Sequence, residues 1–169
     1  MSIGEMPFGQ EDFEWLQLMV GEFTCEVLNH HDDVQDYVSA LNGARLTNQF
    51  IFNHHFLERY FESKHSKQTP EIVQGKGYLG FNSAMQCFEN FWIDTVKGSM
   101  SFDRGVRKGN QLVMEKVITP DYKALPNTHT YIKTVTDLTN ADEFSMGFFV
   151  KDNVDKETNL FTLGFKRFD

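Results

Sequence analysis

Residues 144–150 read FSMGFFV, and in this stretch Phe144, Met146, Phe148 and Val150 occupy every second position. Because successive side chains of a β-strand point to opposite faces, this spacing places the four apolar side chains on one face. One buried face and one solvated face are typical of antiparallel sheets. The stretch therefore predicts a strand whose apolar face covers a core.

The same period of two recurs along most of the chain after Gly21. Further alternating runs occur in residues 22–27, 46–52, 112–118 and 161–166. Turn-forming pairs such as Asn42-Gly43 and Asn82-Ser83 separate the runs, at intervals of roughly 10 to 15 residues, which is the spacing of a meander. Parallel pairing would need helical connectors, and closure of the sheet removes exposed edges. We predict a mainly β fold, an antiparallel barrel of nine to ten strands.

The N-terminal segment has a different period. Phe13, Leu16 and Met19 recur at helical spacing, acidic residues precede them, and Gly21 ends the periodic stretch. We predict a short helix over about residues 8–20 that lies across one end of the barrel. The barrel then occupies about residues 21–168 of a single domain, 1–169.

Composition and charge limit the partners. The chain has 169 residues, of which 40% are apolar and 24% charged, and its net charge is −8. An acidic surface repels phosphate and anionic lipid, so neither nucleic acid nor a membrane is an expected partner. The N-terminus has acidic residues where a signal peptide needs basic and then apolar ones. We expect a cytoplasmic protein in which Cys25 and Cys87 are reduced thiols.

The densest candidate site lies in residues 87–94, CFENFWID. There Phe88, Asn90, Trp92 and Asp94 share one face of a predicted strand. If this face points inward, an amide, an indole and a carboxylate meet in one pocket, which suits the polar head of a ligand. The alternative is that Trp92 is core and that Asp94 merely begins the next turn.

Other candidates are aromatic, methionine and histidine side chains on predicted strand faces. Together with Trp92 and Asp94, the predicted ligand-binding residues are Phe23, Tyr60, Met114, His129, Tyr131 and Phe148. His129 lies two residues from Tyr131 in a predicted strand, and it is a candidate proton carrier or haem ligand. The other histidines are expected at the surface, since the adjacent pairs His30-His31 and His54-His55 diverge on an extended chain. We predict neither a metal site nor a cofactor.

Residues 75–80, GKGYLG, superficially match a dinucleotide-binding fingerprint. A true fingerprint follows a strand and opens a helix, whereas this segment lies between two strand-like runs. The glycines more plausibly relieve crowding where a barrel strand bends. We therefore predict no nucleotide site there.

Three motifs carry a family resemblance: FLERY at residues 56–60, GKGYLGFN at 75–82 and FWIDTVKG at 91–98. Together they resemble the bacterial domain-of-unknown-function family 1579. In addition, LQLMVGEF at residues 16–23 is similar to the start of calycin-type barrels, with Phe23 where that group has Trp. The likeness runs from about Leu16 to Phe168. It implies a lipocalin-like barrel, and it implies no activity.

Several functions stay open at this point. The first is a carrier or sensor barrel that binds a small, largely apolar molecule; with 17 Phe in the chain, the side chains could instead fill the interior. The second is an isomerase or lyase with Asp94 as base and His129 or Tyr131 as acid. The third is a haem-binding barrel. We assign no catalytic residue.

A homodimer is a further expectation. Ile51, Leu57 and Phe61 would form an apolar surface if their side chains pointed outward from the sheet.

Overall fold

A computed structural model describes residues 10–64, 72–95, 100–117, 132–151 and 156–168. Within these ranges, the helical elements are α1 (Gln10–Trp15), a 3₁₀ helix at Leu16–Met19, a 3₁₀ turn at Asp32–Val34 and α2 (Gln35–Ser39). The strands are β1 (Gly21–His30), β2 (Arg45–Ile51), β3 (Phe56–Glu62), β4 (Gln74–Asn82), β5 (Cys87–Asp94), β6 (Met100–Lys108), β7 (Gln111–Lys116), β8 (Lys133–Asp137), β9 (Glu143–Lys151) and β10 (Glu157–Arg167).

The strands form one closed antiparallel barrel. Each strand pairs with its neighbour in sequence, and β1 also pairs with β10. At this seam Phe23 lies opposite Arg167 and Cys25 lies opposite Phe165. The prediction of a mainly β, antiparallel barrel of nine to ten strands with a short N-terminal helix is confirmed.

The alternation in residues 144–150 produces β9. Its apolar face points into the barrel, where the ring of Phe144 stacks on Phe165 with centroids 4.8 Å apart. Two rows further along, Phe148 stacks on Phe161 at 4.5 Å. Such ring pairs add to the free energy that area burial alone supplies, so they fix the register of β9 against β10.

The N-terminal segment covers one end of the barrel, as predicted. Phe13, Leu16 and Met19 are buried, and the Phe13 ring lies 5.2 Å from that of Phe50 on β2. Asn48 donates a hydrogen bond from Nδ2 to the carbonyl oxygen of Met19 at 2.8 Å. The helical period of the sequence therefore serves to bury one apolar stripe over this end.

A single arginine of β10 ties the N-terminal segment to the barrel. Arg167 donates from Nη1 to the carbonyl of Val20 at 2.7 Å and from Nη2 to that of Leu18 at 3.3 Å. Its guanidinium lies 4.7 Å from the centroid of the Phe23 ring. Gly21 has a φ of +131°, and a methyl group there would overlap Nη1 of Arg167. Only glycine suits that position.

At the opposite end, α2 follows β1 and packs on the barrel. Val34 and Val38 are buried, and the ring of Tyr37 lies 6.0 Å from that of Phe161. The only helix predicted from the sequence is the N-terminal one, so α2 was not expected. The helix is five residues long, too short to show a period of 3.6.

The proposed outward surface for dimerisation is corrected by the structure. Leu57 is 0% exposed and Phe61 is 7% exposed, because both occupy the inward face of β3. Only Ile51 retains partial exposure among the three. None of the described helices combines the length and apolar character that a membrane-spanning helix needs.

Candidate functional site

The barrel encloses a cavity of about 500 Å³, whose lining runs from Met19 at the covered end to Tyr37 on α2. Much of the wall is apolar, and it includes Leu46, Leu79, Leu112, Met146, Phe148 and Phe161. The described side chains therefore leave the interior hollow, and the phenylalanine residues among them do not fill it. Phe23, Phe88, Phe144 and Phe165 are buried, and of these four only Phe165 lines the cavity.

The inward face of β5 is the one that the sequence singled out. Asn90, Trp92 and Asp94 all line the cavity, while Phe88, on the same face, is buried. An amide, an indole and a carboxylate thus share one inward face, which is the condition of the first interpretation. Their role in binding a ligand stays a prediction.

Two glycines of β4 make room for the Trp92 indole. Gly77 lies opposite Trp92 in the register and Gly75 lies opposite Asp94. A methyl group at Gly75 would overlap Cζ2 of the indole, and one at Gly77 would overlap Cε3. The indole therefore lies against bare backbone. The GKGYLG segment is part of a strand and opens no helix, so its glycines relieve crowding, as expected.

Sequence analysis missed the arginine beside this indole. Arg59 is 8% exposed and lines the cavity, and its guanidinium carbon lies 5.4 Å from the Trp92 ring centroid. Its Nη2 donates to Oδ1 of Asn90, and Nδ2 of Asn90 donates to Oδ2 of Asp103 on β6 at 2.9 Å. An amide thus links a buried cation to a partly buried carboxylate.

Burial shifts the pKa of both charged ends of this network. It lowers the pKa of Arg59 from 12.5 to about 10, although the charge of Asp103 opposes the shift. It raises the pKa of Asp103 above its ordinary value, against the hydrogen bond from Asn90 and the charges of Arg59 and Lys116. Removal from water disfavours a charge of either sign. Arg59 still remains protonated at neutral pH.

The other predicted ligand-binding residues divide into four groups. Met114 and Phe148 line the cavity. Phe23 is buried beside Phe144 and is not among the lining residues. Tyr60 lies on the outer face of β3, where it is 39% exposed and donates a hydrogen bond to Glu62 at 2.7 Å. The structure thus places Tyr60 away from the cavity, and His129 and Tyr131 lie outside the described residues.

The described histidines are surface residues, as predicted for them. His30, His31, His54 and His55 are exposed, and none of these four lines the cavity. Nowhere in the described ranges do three histidine, cysteine or acidic side chains come together in an arrangement for a metal ion.

The cavity opens beside α2. Asp33 and Asp36 line it, and both side chains are exposed to solvent. A molecule that entered there would pass two carboxylates and Tyr37 before it reached the Trp92 indole. The polar groups of β3, β5 and β6 lie on one wall, opposite the apolar side chains of β9 and β10.

The fold and the cavity define the class of this protein: a closed ten-stranded antiparallel barrel with a hollow, mixed apolar and polar interior, which is compatible with the calycin group. The profile of a family described as "Protein of unknown function (DUF1579)" matches residues 9–167. The chain belongs to this family. A search of curated proteins found no match.

Proposed function

We propose that the barrel binds a small, largely apolar ligand in its interior. The observation that carries the proposal is the cavity of about 500 Å³, which falls within the range of about 300–1,000 Å³ typical of small-molecule sites. Such sites combine mostly apolar walls with a few polar groups that orient the ligand. Arg59, Asn90 and Asp103 are polar groups of that kind on the described wall.

The test is binding of the neutral, polarity-sensitive dye Nile red, followed by fluorescence. We expect saturable binding to the wild-type protein. Thr134→Phe on β8 adds a ring at a cavity-lining position, and we expect it to weaken binding by about tenfold or more, because the ring occupies ligand space. Native mass spectrometry of the purified protein should in addition show any small molecule that it retains.

Val135→Phe is the matched control. It adds a ring at the next residue of the same strand, which faces away from the cavity and is not among its lining residues. We expect it to leave the affinity for Nile red within about twofold of the wild type. If the dye does not bind the wild type, or if both substitutions weaken it equally, the proposal is wrong.

The enzyme hypothesis and the haem hypothesis stay predictions. Asp94 lines the cavity, but its proposed partners His129 and Tyr131 lie outside the described residues. The four described histidines are exposed and do not line the cavity. The axial ligand of a haem in the cavity would therefore be another type of residue, or a residue outside the described ranges. No observation on the described residues favours either function over simple binding.

A further inference from the structure

Arg59 is a charged side chain that is buried on the inward face of β3, where a charge is energetically unfavourable. It lies in the middle of β3, between Leu57 and Phe61 on the same inward face. Its cross-strand neighbours are Asn48 on β2 and Gly77 on β4. An arginine on an apolar face is rare unless a partner compensates its charge.

The partners that the described residues supply are incomplete. Nη2 is satisfied by Asn90, but no acceptor among the described residues lies within hydrogen-bonding distance of Nε, which is buried. Asp103 does not contact Arg59 directly, because the Asn90 amide lies between the carboxylate and the guanidinium. An unsatisfied donor on a buried charged group is strongly unfavourable.

Charged side chains of both signs surround this network. Arg59 and Lys116 are cations that line the cavity near Asp103, and Lys116 lies directly opposite Asp103 in the register. Asp103 therefore compensates two cations, and it reaches Arg59 only through the Asn90 amide. Asp94 also lines the cavity, two residues beyond Trp92 on β5. A carboxylate in direct contact with the guanidinium would give Arg59 a counter-charge of its own.

We propose that the ligand carries a carboxylate and that this carboxylate pairs with the guanidinium of Arg59, which lines the cavity. The proposal rests on the proposed function and names the chemical class of the ligand: an apolar acid. Its hydrocarbon part would lie against the Trp92 indole and the side chains of β9, while its head would provide Arg59 with a direct counter-charge. A charge-assisted hydrogen bond of this kind is about twice as strong as a neutral one.

A competing explanation uses a water molecule. Oδ1 of Asn48 is also buried and has no partner among the described residues, and Asn48 lies opposite Arg59. A water molecule between Oδ1 and Nε would satisfy both atoms. Asn48 is not a cavity-lining residue, so in this case the ligand would have no reason to be an acid.

The experiment compares dodecanoic acid with dodecan-1-ol as competitors of Nile red at neutral pH. The two have the same hydrocarbon chain, and only the acid is ionised. We expect the acid to displace the dye at a concentration about tenfold or more below that of the alcohol. In Arg59→Gln and Arg59→Met we expect this advantage of the acid to disappear.

Arg104→Gln is the matched control. It removes one positive charge from β6, but Arg104 is exposed and pairs with Glu89 on the outer surface. We expect the variant to retain the preference for the acid. Should the variants of Arg59 fail to fold, the wild-type comparison of acid and alcohol decides by itself.

The outcomes separate the two proposals. Equal displacement by acid and alcohol, or no displacement by the acid while Nile red binds, overturns the carboxylate and leaves the proposed function intact. It would also favour the bridging water. Persistence of the acid's advantage in a folded Arg59→Gln protein would equally overturn the role of Arg59. Failure of Nile red to bind overturns both proposals.

Discussion

Trp92 occupies space that two neighbouring residues leave vacant. In an ordinary antiparallel pair, the Cβ atoms of opposite residues lie about 4.5–5.5 Å apart and keep large rings from lying flat on the partner strand. Gly77, opposite Trp92, and Gly75, two residues away, have no Cβ atom, so the indole spreads over β4 and reaches Arg59 on β3. Two glycines thus bring together a ring and a cation from strands that are not adjacent.

Gly75→Ala tests this arrangement. The added methyl group would overlap the indole, so we expect the substitution to lower the free energy of unfolding by about 1–3 kcal/mol, as overpacking of a core does. Urea denaturation, followed by circular dichroism, measures the change.

The double variant with Trp92→Leu is the control. All three of the nearest atoms to a methyl group at Gly75 belong to the indole, so without the indole Gly75→Ala should cost much less. Gly77→Ala should stay costly in both backgrounds, because the carbonyl oxygen of Phe91 would lie 2.6 Å from its methyl group. An equal cost of Gly75→Ala with and without Trp92 would refute the explanation.

At the scale of residues, the sequence was informative about β5 and less so about β3. The period of two placed Asn90, Trp92 and Asp94 on one face because large apolar residues mark that face. The same signal existed for Arg59, which is flanked at alternate positions by Leu57 and Phe61. It was overlooked since arginine is usually a surface residue.

Tyr60, on the same strand, was predicted to bind the ligand but lies on the outer face of the barrel. It alternates with Arg59 and shares its face with Glu58 and Glu62, so its outward position follows from its polar neighbours. An aromatic residue in a predicted strand indicates the interior only when the residues two positions away are apolar as well.

At the scale of elements, Arg167 is one of the contacts that join the N-terminal segment to the barrel. Its guanidinium satisfies carbonyl groups at the end of the 3₁₀ helix, which have no partner within the helix itself. The guanidinium also makes a cation–π contact with the ring of Phe23. One side chain of β10 thereby fixes where the segment meets β1.

Arg167→Gln should release this segment. We expect a loss of about 1.5–3 kcal/mol in the free energy of unfolding, the range for hydrogen bonds from charged groups. Hydrogen–deuterium exchange should rise selectively in residues 10–20. Unchanged protection of these residues would show that the other contacts of the segment hold it without Arg167.

Arg45→Gln serves as the comparison. Arg45 pairs with Glu22 and lies over the Phe168 ring, but its side chain is 56% exposed. An exposed ion pair contributes about 0.2–1 kcal/mol, so this variant should unfold at nearly the wild-type urea concentration and retain its exchange protection in residues 10–20.

Helices and strands could be predicted from the sequence where they are long enough to repeat an apolar period several times. Strands such as β1, β9 and β10 extend over enough residues to show an apolar period of two, and the N-terminal helical segment shows its own period. In contrast, α2 has five residues and follows the polar pair Asp32-Asp33, so its two buried valines give no recognisable stripe. Its position over the opening of the cavity could not be derived from the local sequence.

At the scale of the whole molecule, closure of the barrel hides Cys25. This residue is 1% exposed and lies at the seam between β1 and β10. Burial, with a smaller contribution from Glu26, raises the pKa of its thiol to about 12. Since the thiolate is the reactive form, Cys25 is protected both by the wall and by its protonation.

A disulfide reagent such as Ellman's reagent measures this protection in a Cys87→Ser variant. We expect the folded variant to react only at the rate of global opening, and rapidly once denatured. Because the native pKa is raised, any reaction of the folded state should still increase as the pH rises beyond the ordinary range for a thiol. Fast, stoichiometric labelling of the native variant at neutral pH would contradict the buried position.

Hollowness is the property of the whole molecule that the sequence could not supply. A count of 17 Phe is compatible with a filled barrel and with an empty one. The difference depends on how the side-chain volumes sum across ten strands in a particular register, and a periodic pattern contains no information about that sum. The cavity therefore became visible only in three dimensions.

The hydrogen bond from Arg167 to Val20 spans 147 positions of the sequence, and this span sets an order of events during synthesis. A ribosome adds about 5–20 residues per second, so β1 emerges roughly 7–30 s before the strand that completes the ring. During that interval the early strands have their sequence neighbours but not the final one. The closing step has a high contact order and carries the largest loop-closure entropy in the fold, so it is the slow step of folding that we expect for this chain.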